Sequence, residues 1–237
     1  MQMCTKFTTR TLWIATFIIC TAAAPVMARN HAIAVSGDAA PGTSDTFTAF
    51  DDPVLNDDGK VAFWANTTGE SGIWSSGGGS LTVVAQEGVG AAPGIPDSLF
   101  SDLHTRRIFL NDAGDVAFEG NLQAGPGGVT FSDNSGIWAS ESGIVTLKFR
   151  EGTPHPDDPN DTLSPKSGST VSWARFNNSG HLLRIASLPF GESAILSTVG
   201  GLDLIAETTA GGTGITGADF SGFQNPSLSN AGDVDPG

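Results

Sequence analysis

Asn56-Asp57-Asp58-Gly59-Lys60-Val61-Ala62-Phe63 returns further along the chain as Asn111-Asp112-Ala113-Gly114-Asp115-Val116-Ala117-Phe118, an eight-residue match at six positions. The stretch reads as a hairpin with a mechanism. An Asn side chain caps the backbone of its own turn, a glycine takes positive φ without steric cost, and apolar runs such as Pro53-Val54-Leu55 and Val61-Ala62-Phe63 flank the pair. Weaker copies occur at Asn177-Asn178-Ser179-Gly180-His181-Leu182 and at Ser229-Asn230-Ala231-Gly232-Asp233-Val234, with glycine spacings of 55, 66 and 52 residues.

Working outward, other segments recur in the same order. Gly72-Ile73-Trp74 matches Gly136-Ile137-Trp138, with Ala194-Ile195-Leu196 as the third copy, and each is followed by a short apolar run: Leu81 to Ala85, Ile144 to Phe149, Leu202 to Ala206. Ala40-Pro41-Gly42 and Ala92-Pro93-Gly94 read as turns that no strand enters. The first unit thus offers four strands, approximately Phe47 to Leu55, Lys60 to Ala65, Gly72 to Ser75 and Ser80 to Gln86, and no helical periodicity appears beyond the amino-terminal segment.

Four short strands in a unit of about fifty residues predict an all-β, β-propeller-like array of four-stranded antiparallel blades. An open stack of four-stranded sheets is the alternative. The expected organisation is an orphan strand at 31–36, repeats at about 47–94, 100–152 and 171–208, and a partial repeat at 220–237. Because the last copy stops soon after Val234, the array is expected to be incomplete or truncated, with an exposed sheet edge.

Residues 1–28 follow the plan of a secretory signal: Lys6 and Arg10, an apolar or small run from Leu12 to Ala24, then Pro25 and the small residues Val26 and Ala28 before the expected cleavage. Both cysteines, Cys4 and Cys20, fall inside it, so the expected exported domain, 29–237, has neither a disulfide nor a thiolate metal site. Lys and Arg number 11 against 25 Asp and Glu, a net charge of −14 that the loss of Lys6 and Arg10 makes more negative. Nucleic acid and anionic membrane surfaces are therefore unsuitable partners, and no stable membrane span is expected after cleavage. With 31 Gly, 13 Pro and only 15% charged residues, the composition suits short strands and tight turns rather than disorder.

Asn111, Gly114, Ala117 and Phe118, with the Gly-Ile-Trp and Ala-Pro-Gly landmarks, resemble the tandem NxxGxxAF repeat of bacterial surface and secreted proteins. The resemblance spans nearly all of the exported chain and implies an exported scaffold. Leu183-Arg184 and Asp235-Pro236 depart from the Ala-Phe of the repeat.

Candidate chemistry is sparse. Asp51, Asp52, Asn56 and Asp58 surround one glycine turn with oxygens of the kind calcium takes. Against this, Ala113 and Ser179 replace Asp58 in the later copies, whereas Asn56, Gly59, Asn111, Gly114, Asn177, Gly180 and Gly232 keep what a turn needs. His155, Asp157, Asp158 and Asp161 form a second candidate cation loop within the longest unit. His31, His104 and His181 stand in unrelated contexts, and no nucleophile with its base is legible. Trp74 and Trp138, being repeated, are expected in the core, and Trp173 and Phe190 are the better ligand contacts. These features predict a non-enzymatic exported scaffold without a cofactor, binding a protein or glycan at the cell surface or in the periplasm. A polysaccharide-directed enzyme or lectin, or a calcium-binding surface protein, is the competing expectation.

Overall fold

Runs rich in Val, Ile, Phe and Trp, cut every few residues by glycine turns, form strands because branched and aromatic side chains pack well on a pleated surface. The computed structural model describes residues 31–103, 107–156, 162–165, 174–188, 192–208, 223 and 225–236. The expected signal, residues 1–28, lies outside these residues. Every sheet described belongs to the compact unit Ile33–Gly237.

Its first sheet comprises β1 (Phe47–Phe50), β2 (Val54–Leu55), β3 (Val61–Thr67), β4 (Gly72–Ser75) and β5 (Thr82–Gln86). The second holds β6 (Phe100–Asp102), β7 (Ile108–Leu110), β8 (Val116–Leu122), β9 (Ser135–Glu141) and β10 (Ile144–Arg150). In the third are β11 (Ser164–Pro165), β12 (Ala174–Phe176), β13 (Leu182–Ser187), β14 (Ser193–Ser197) and β15 (Asp203–Glu207). A two-stranded hairpin, β16 (Ser227–Leu228) with β17 (Val234–Asp235), comes last.

Every sheet is an antiparallel meander, and in the three larger ones the first edge is broken in two. The expected single strand from Phe47 to Leu55 is the clearest case: β1 pairs with the far end of β3 and β2 with its near end. The interruption, Asp51-Asp52-Pro53, contains a proline that cannot donate to the ladder, so a gap there costs the sheet little. β13 keeps full register with β14 from Leu183 to Ser187, so Leu183-Arg184 is strand despite its departure from Ala-Phe.

Two expected boundaries change. Residues 31–36 form no strand. Asp38 draws the segment into a turn, its Oδ2 accepting Val35 N–H and its own N–H donating to Val35 O, and pairing begins with the bridge between Ala39 and Thr46. The third unit starts before 171, because β11 at Ser164–Pro165 supplies its outer edge.

Alternating side chains fill both faces of the sheets. Val61, Phe63 and Ala65 pack with Phe47 and Trp74 on one face of the first sheet. Ala62, Trp64 and Ile73 on its other face share a core with Val116, Phe118 and Trp138 of the second. The second sheet's opposite face, Ala117, Ile137 and Ala139, meets Leu182, Ala186 and Leu196 of the third, whose Leu183, Ile185 and Ile195 in turn cluster with Leu228 and Val234 of the hairpin. Consecutive sheets therefore stack face to face in chain order. This is the behaviour expected of units that cannot bury their apolar faces alone.

Candidate functional site

The seams between stacked sheets hold many of the chain's buried polar groups, and the repeat turn builds them. In the first three copies a turn is closed by the glycine N–H donating to the Asn carbonyl (Gly59 to Asn56, Gly114 to Asn111, Gly180 to Asn177), and Gly232 donates to Ser229 in the fourth. These glycines have φ of 74°, 92°, 79° and 97°, a region that side chains with a Cβ rarely adopt.

Each Asn makes two kinds of bond. Its Oδ1 accepts the N–H four residues on, from Lys60, Asp115 or His181, at 2.8 Å in every copy. Its Nδ2 crosses the seam to the backbone carbonyl of the next turn: Asn56 to Asn111 at 2.8 Å, Asn111 to Asn177 at 3.1 Å, and Asn177 to Ser229 at 2.8 Å. The three asparagines are buried, where an unmade hydrogen bond is costly. The next residue along adds a parallel row, Asp112 N–H donating to Asn178 Oδ1 and Asn178 N–H to Asn230 Oδ1, both at 2.9 Å. Ser229 keeps the turn, with its Oγ accepting Asp233 N–H, but its hydroxyl proton goes to Asp233 Oδ2.

The turn is thus half of what Asn56, Asn111 and Asn177 do. The other half also has a signal in the sequence. An Asx cap is met equally well by Asp, yet the first three copies carry Asn there, and the first two place Asp only one residue later. An amide donor is what Asn adds.

Three further devices recur. Ser76, Ser140 and Thr198 accept, through their hydroxyls, the first N–H of β3, β8 and β13. Trp74 and Trp138, both fully buried, donate Nε1–H to the Pro41 and Pro93 carbonyls, which fixes each Ala-Pro-Gly turn against its sheet. Gly72 and Gly136 leave room for those indoles. A Cβ on Gly136 would lie 2.8 Å from the Trp138 ring, and in the third copy Ala194 accompanies the smaller Leu196.

The third unit changes the seam chemistry. Glu119 of β8 and Arg184 of β13 are 5% and 6% exposed and form an ion pair across the second seam, Nη1 to Oε1 at 2.5 Å. The guanidinium also lies 5.3 Å from the centroid of the Phe149 ring. His155 is buried too, with Nε2 3.9 Å from Glu207 Oε2.

Of the candidate cation ligands, Asp51, Asp52 and Asp58 are exposed while Asn56 is committed to the seam. Among the described residues no three His, Cys, Asp or Glu side chains form a metal-holding group. Asp157, Asp158, Asp161, His104, Trp173 and Phe190 lie outside the described residues. His31 is exposed, and His181 stands directly after its turn with Nδ1 3.5 Å from Asn177 Nδ2.

Two clefts open along the first seam. One, of about 360 Å³, lies at the turns around Gly77, Gly114, Ser140 and Gly143. The other, of about 270 Å³, is lined by Asp51, Asp52, Val54, Trp64, Arg107 and Phe109. On the second sheet, the loop before β9 presents Phe131 at 86% exposure. That loop is braced: Thr130 donates N–H and Oγ1–H to Asp133 Oδ1, while Arg150 bonds both the Asp133 carbonyl and its carboxylate. Burial alone would raise the Asp133 carboxyl, but the Thr130 bonds and the Arg150 charge together hold it below its ordinary value. Among the described residues no helix is long and apolar enough to cross a membrane.

Residues 26–182 match the model of DUF7453, a family of unknown function. No curated protein and no solved structure matches the chain.

Proposed function

We propose that this chain, which belongs to DUF7453, a family of unknown function, is an exported, non-catalytic repeat scaffold of the NxxGxxAF type. Its sheets are read as blades of a β-propeller-like array that offers a binding surface to a protein or glycan at the cell surface or in the periplasm. One observation carries the reading: the repeated polar residues, Asn56, Asn111 and Asn177, are spent on joining one sheet to the next. Residues so committed hold a framework in register, which leaves recognition to loops and clefts.

Phe131, exposed on a braced loop, is the kind of pre-organised aromatic that contributes disproportionately to interfaces. A lectin-like reading draws on the cleft that sets Trp64 beside Asp51, Asp52 and Arg107, since sugars are held by an apolar surface together with charged acceptors and donors.

Expression of the full chain in a bacterial host, with fractionation and amino-terminal sequencing, tests export. A product beginning at Arg29 outside the cytoplasm is expected, and a cytoplasmic product that keeps Met1 refutes it. The exported product is then screened against glycan arrays and surface proteins. Loss of capture on Phe131→Ser supports the loop as the binding surface, and loss on Asp52→Ala supports the cleft. Turnover of a polysaccharide overturns the non-catalytic reading.

A further inference from the structure

We infer that the Glu119–Arg184 pair specifies which sheet stacks on which. The ladder of asparagines cannot do so, because the same amide-to-carbonyl bond is made at every seam. The apolar faces discriminate little, since small and branched residues recur at matching places. The second seam does differ in an apolar place, Leu196 standing where the first has Trp138, but only one pair of matching positions changes from apolar to charged.

Counting from the turn glycine, the residue four places on faces the preceding sheet, and the residue five places on faces the next one. At the first seam these positions bring Trp64 of the first sheet and Phe118 of the second into one core cluster. At the second seam the same two positions hold Glu119 and Arg184. Two aromatic residues of one cluster have thus been exchanged, at both positions together, for an ion pair. Five places on in the third sheet, Ile185 returns to an apolar residue and packs toward the hairpin.

Mis-stacking places unlike positions together. With the third sheet on the first, Arg184 would face Trp64, and Glu119 would be left in an apolar face without its cation. A buried charge that loses its partner is strongly penalised, whereas a satisfied buried pair adds little net stability over well-packed apolar residues. The pair therefore serves order more than stability. Repeat proteins need such a device because like units mis-dock, within one chain or between two.

The test uses the full chain with Cys4→Ser and Cys20→Ser and two disulfide reporters. Asp112→Cys with Asn178→Cys spans the correct seam, where those side chains are hydrogen-bonded at 2.5 Å. Asp57→Cys with Asn178→Cys occupies the equivalent places for a third sheet stacked on a first, in the same or another molecule. After refolding from urea and oxidation, the parent should close the first reporter and leave the second open. Glu119→Trp/Arg184→Phe, which restores the two aromatic residues of the first seam, should stay folded by circular dichroism and raise closure of the second reporter at least roughly tenfold. Glu119→Leu/Arg184→Met makes the same prediction with smaller side chains, so failure of the aromatic variant to fold leaves the test standing. A folded double variant that closes the second reporter no more than the parent overturns the inference.

Discussion

Replacing Asn111 separates the two halves of the repeat turn. Asn111→Ser keeps an oxygen to accept Asp115 N–H, as Ser229 does for Asp233 at 3.0 Å, and removes the 3.1 Å bond from Nδ2 to the Asn177 carbonyl. That carbonyl still accepts Gly180 N–H, so it is not orphaned, and the loss should stay near the net worth of one buried hydrogen bond, about 0.5–1.5 kcal/mol. Asn111→Asp also keeps the turn bond, but it aims a carboxylate oxygen at a carbonyl in a site only 3% exposed. With only Asp115 N–H to meet the charge and the second oxygen facing an acceptor, the cost should rise to about 3 kcal/mol or more. Urea unfolding at pH 7 should order the stabilities parent, Ser variant, Asp variant, with a common m-value. Acid gives a second check. A protonated Asp regains a donor, so the buried carboxyl titrates above its unfolded value, and the gap between Asp and Ser variants should narrow as pH falls towards about 4, the ordinary carboxyl range. Equal stability of the two variants at pH 7 would refute the cross-seam role of the amide.

Other substitutions address the remaining contacts. Gly136→Ala drives a methyl to 2.8 Å from the Trp138 ring and should cost about 1–3 kcal/mol, partly relieved in Gly136→Ala/Trp138→Leu. A double-mutant cycle by urea unfolding measures that coupling. Trp74→Phe removes the Nε1–H bond to the Pro41 carbonyl and should cost about 0.5–1.5 kcal/mol, with faster amide exchange at Thr43, whose N–H bonds Ala40 within that turn. Asp133→Asn should cost about 0.2–1 kcal/mol at neutral pH, because this partly exposed pair with Arg150 is screened by solvent. The Asp133 carboxyl is lowered in the folded state, so its contribution is present above its ordinary value of 3.8 and disappears as pH falls below it. Thermal midpoints of parent and variant should therefore converge in acid.

The strands were legible because their signals are local. β4 is Gly72–Ser75 as expected from the Gly-Ile-Trp landmark, and β3 and β5 differ from expectation only at their ends. The turn glycines were legible for the same reason, since positive φ at Gly59 or Gly114 is a property of one residue and its neighbours. What the sequence hid depends on residues far apart. Nothing near Asn111 names the carbonyl of Asn177, 66 residues on, as its partner. The burial of His155 shows the same limit. In its Pro-rich surroundings it reads as part of a solvated loop, yet the bridge of Pro154 with Thr162 parallels that of Ala39 with Thr46. His155 thereby occupies the place held by the buried Ala40 in the first unit.

That equivalence ties together the substitutions that set the third unit apart. Where the first two units have a buried alanine, a glycine and a tryptophan, the third has His155, Ala194 and Leu196. The changes run in opposite directions in volume, an indole lost against an imidazole and a methyl gained, and close packing penalises an uncompensated change. Arg184 for Phe118 is likewise matched by Glu119 for Trp64 on the adjoining face. The units thus share a grammar in their turns but are fitted to their neighbours across each seam. Exchanging the whole third unit for a second copy of the second should therefore destabilise the fold more than any exposed-loop change. Such a graft would set Glu119 against the copied Phe118 and remove its partner Arg184.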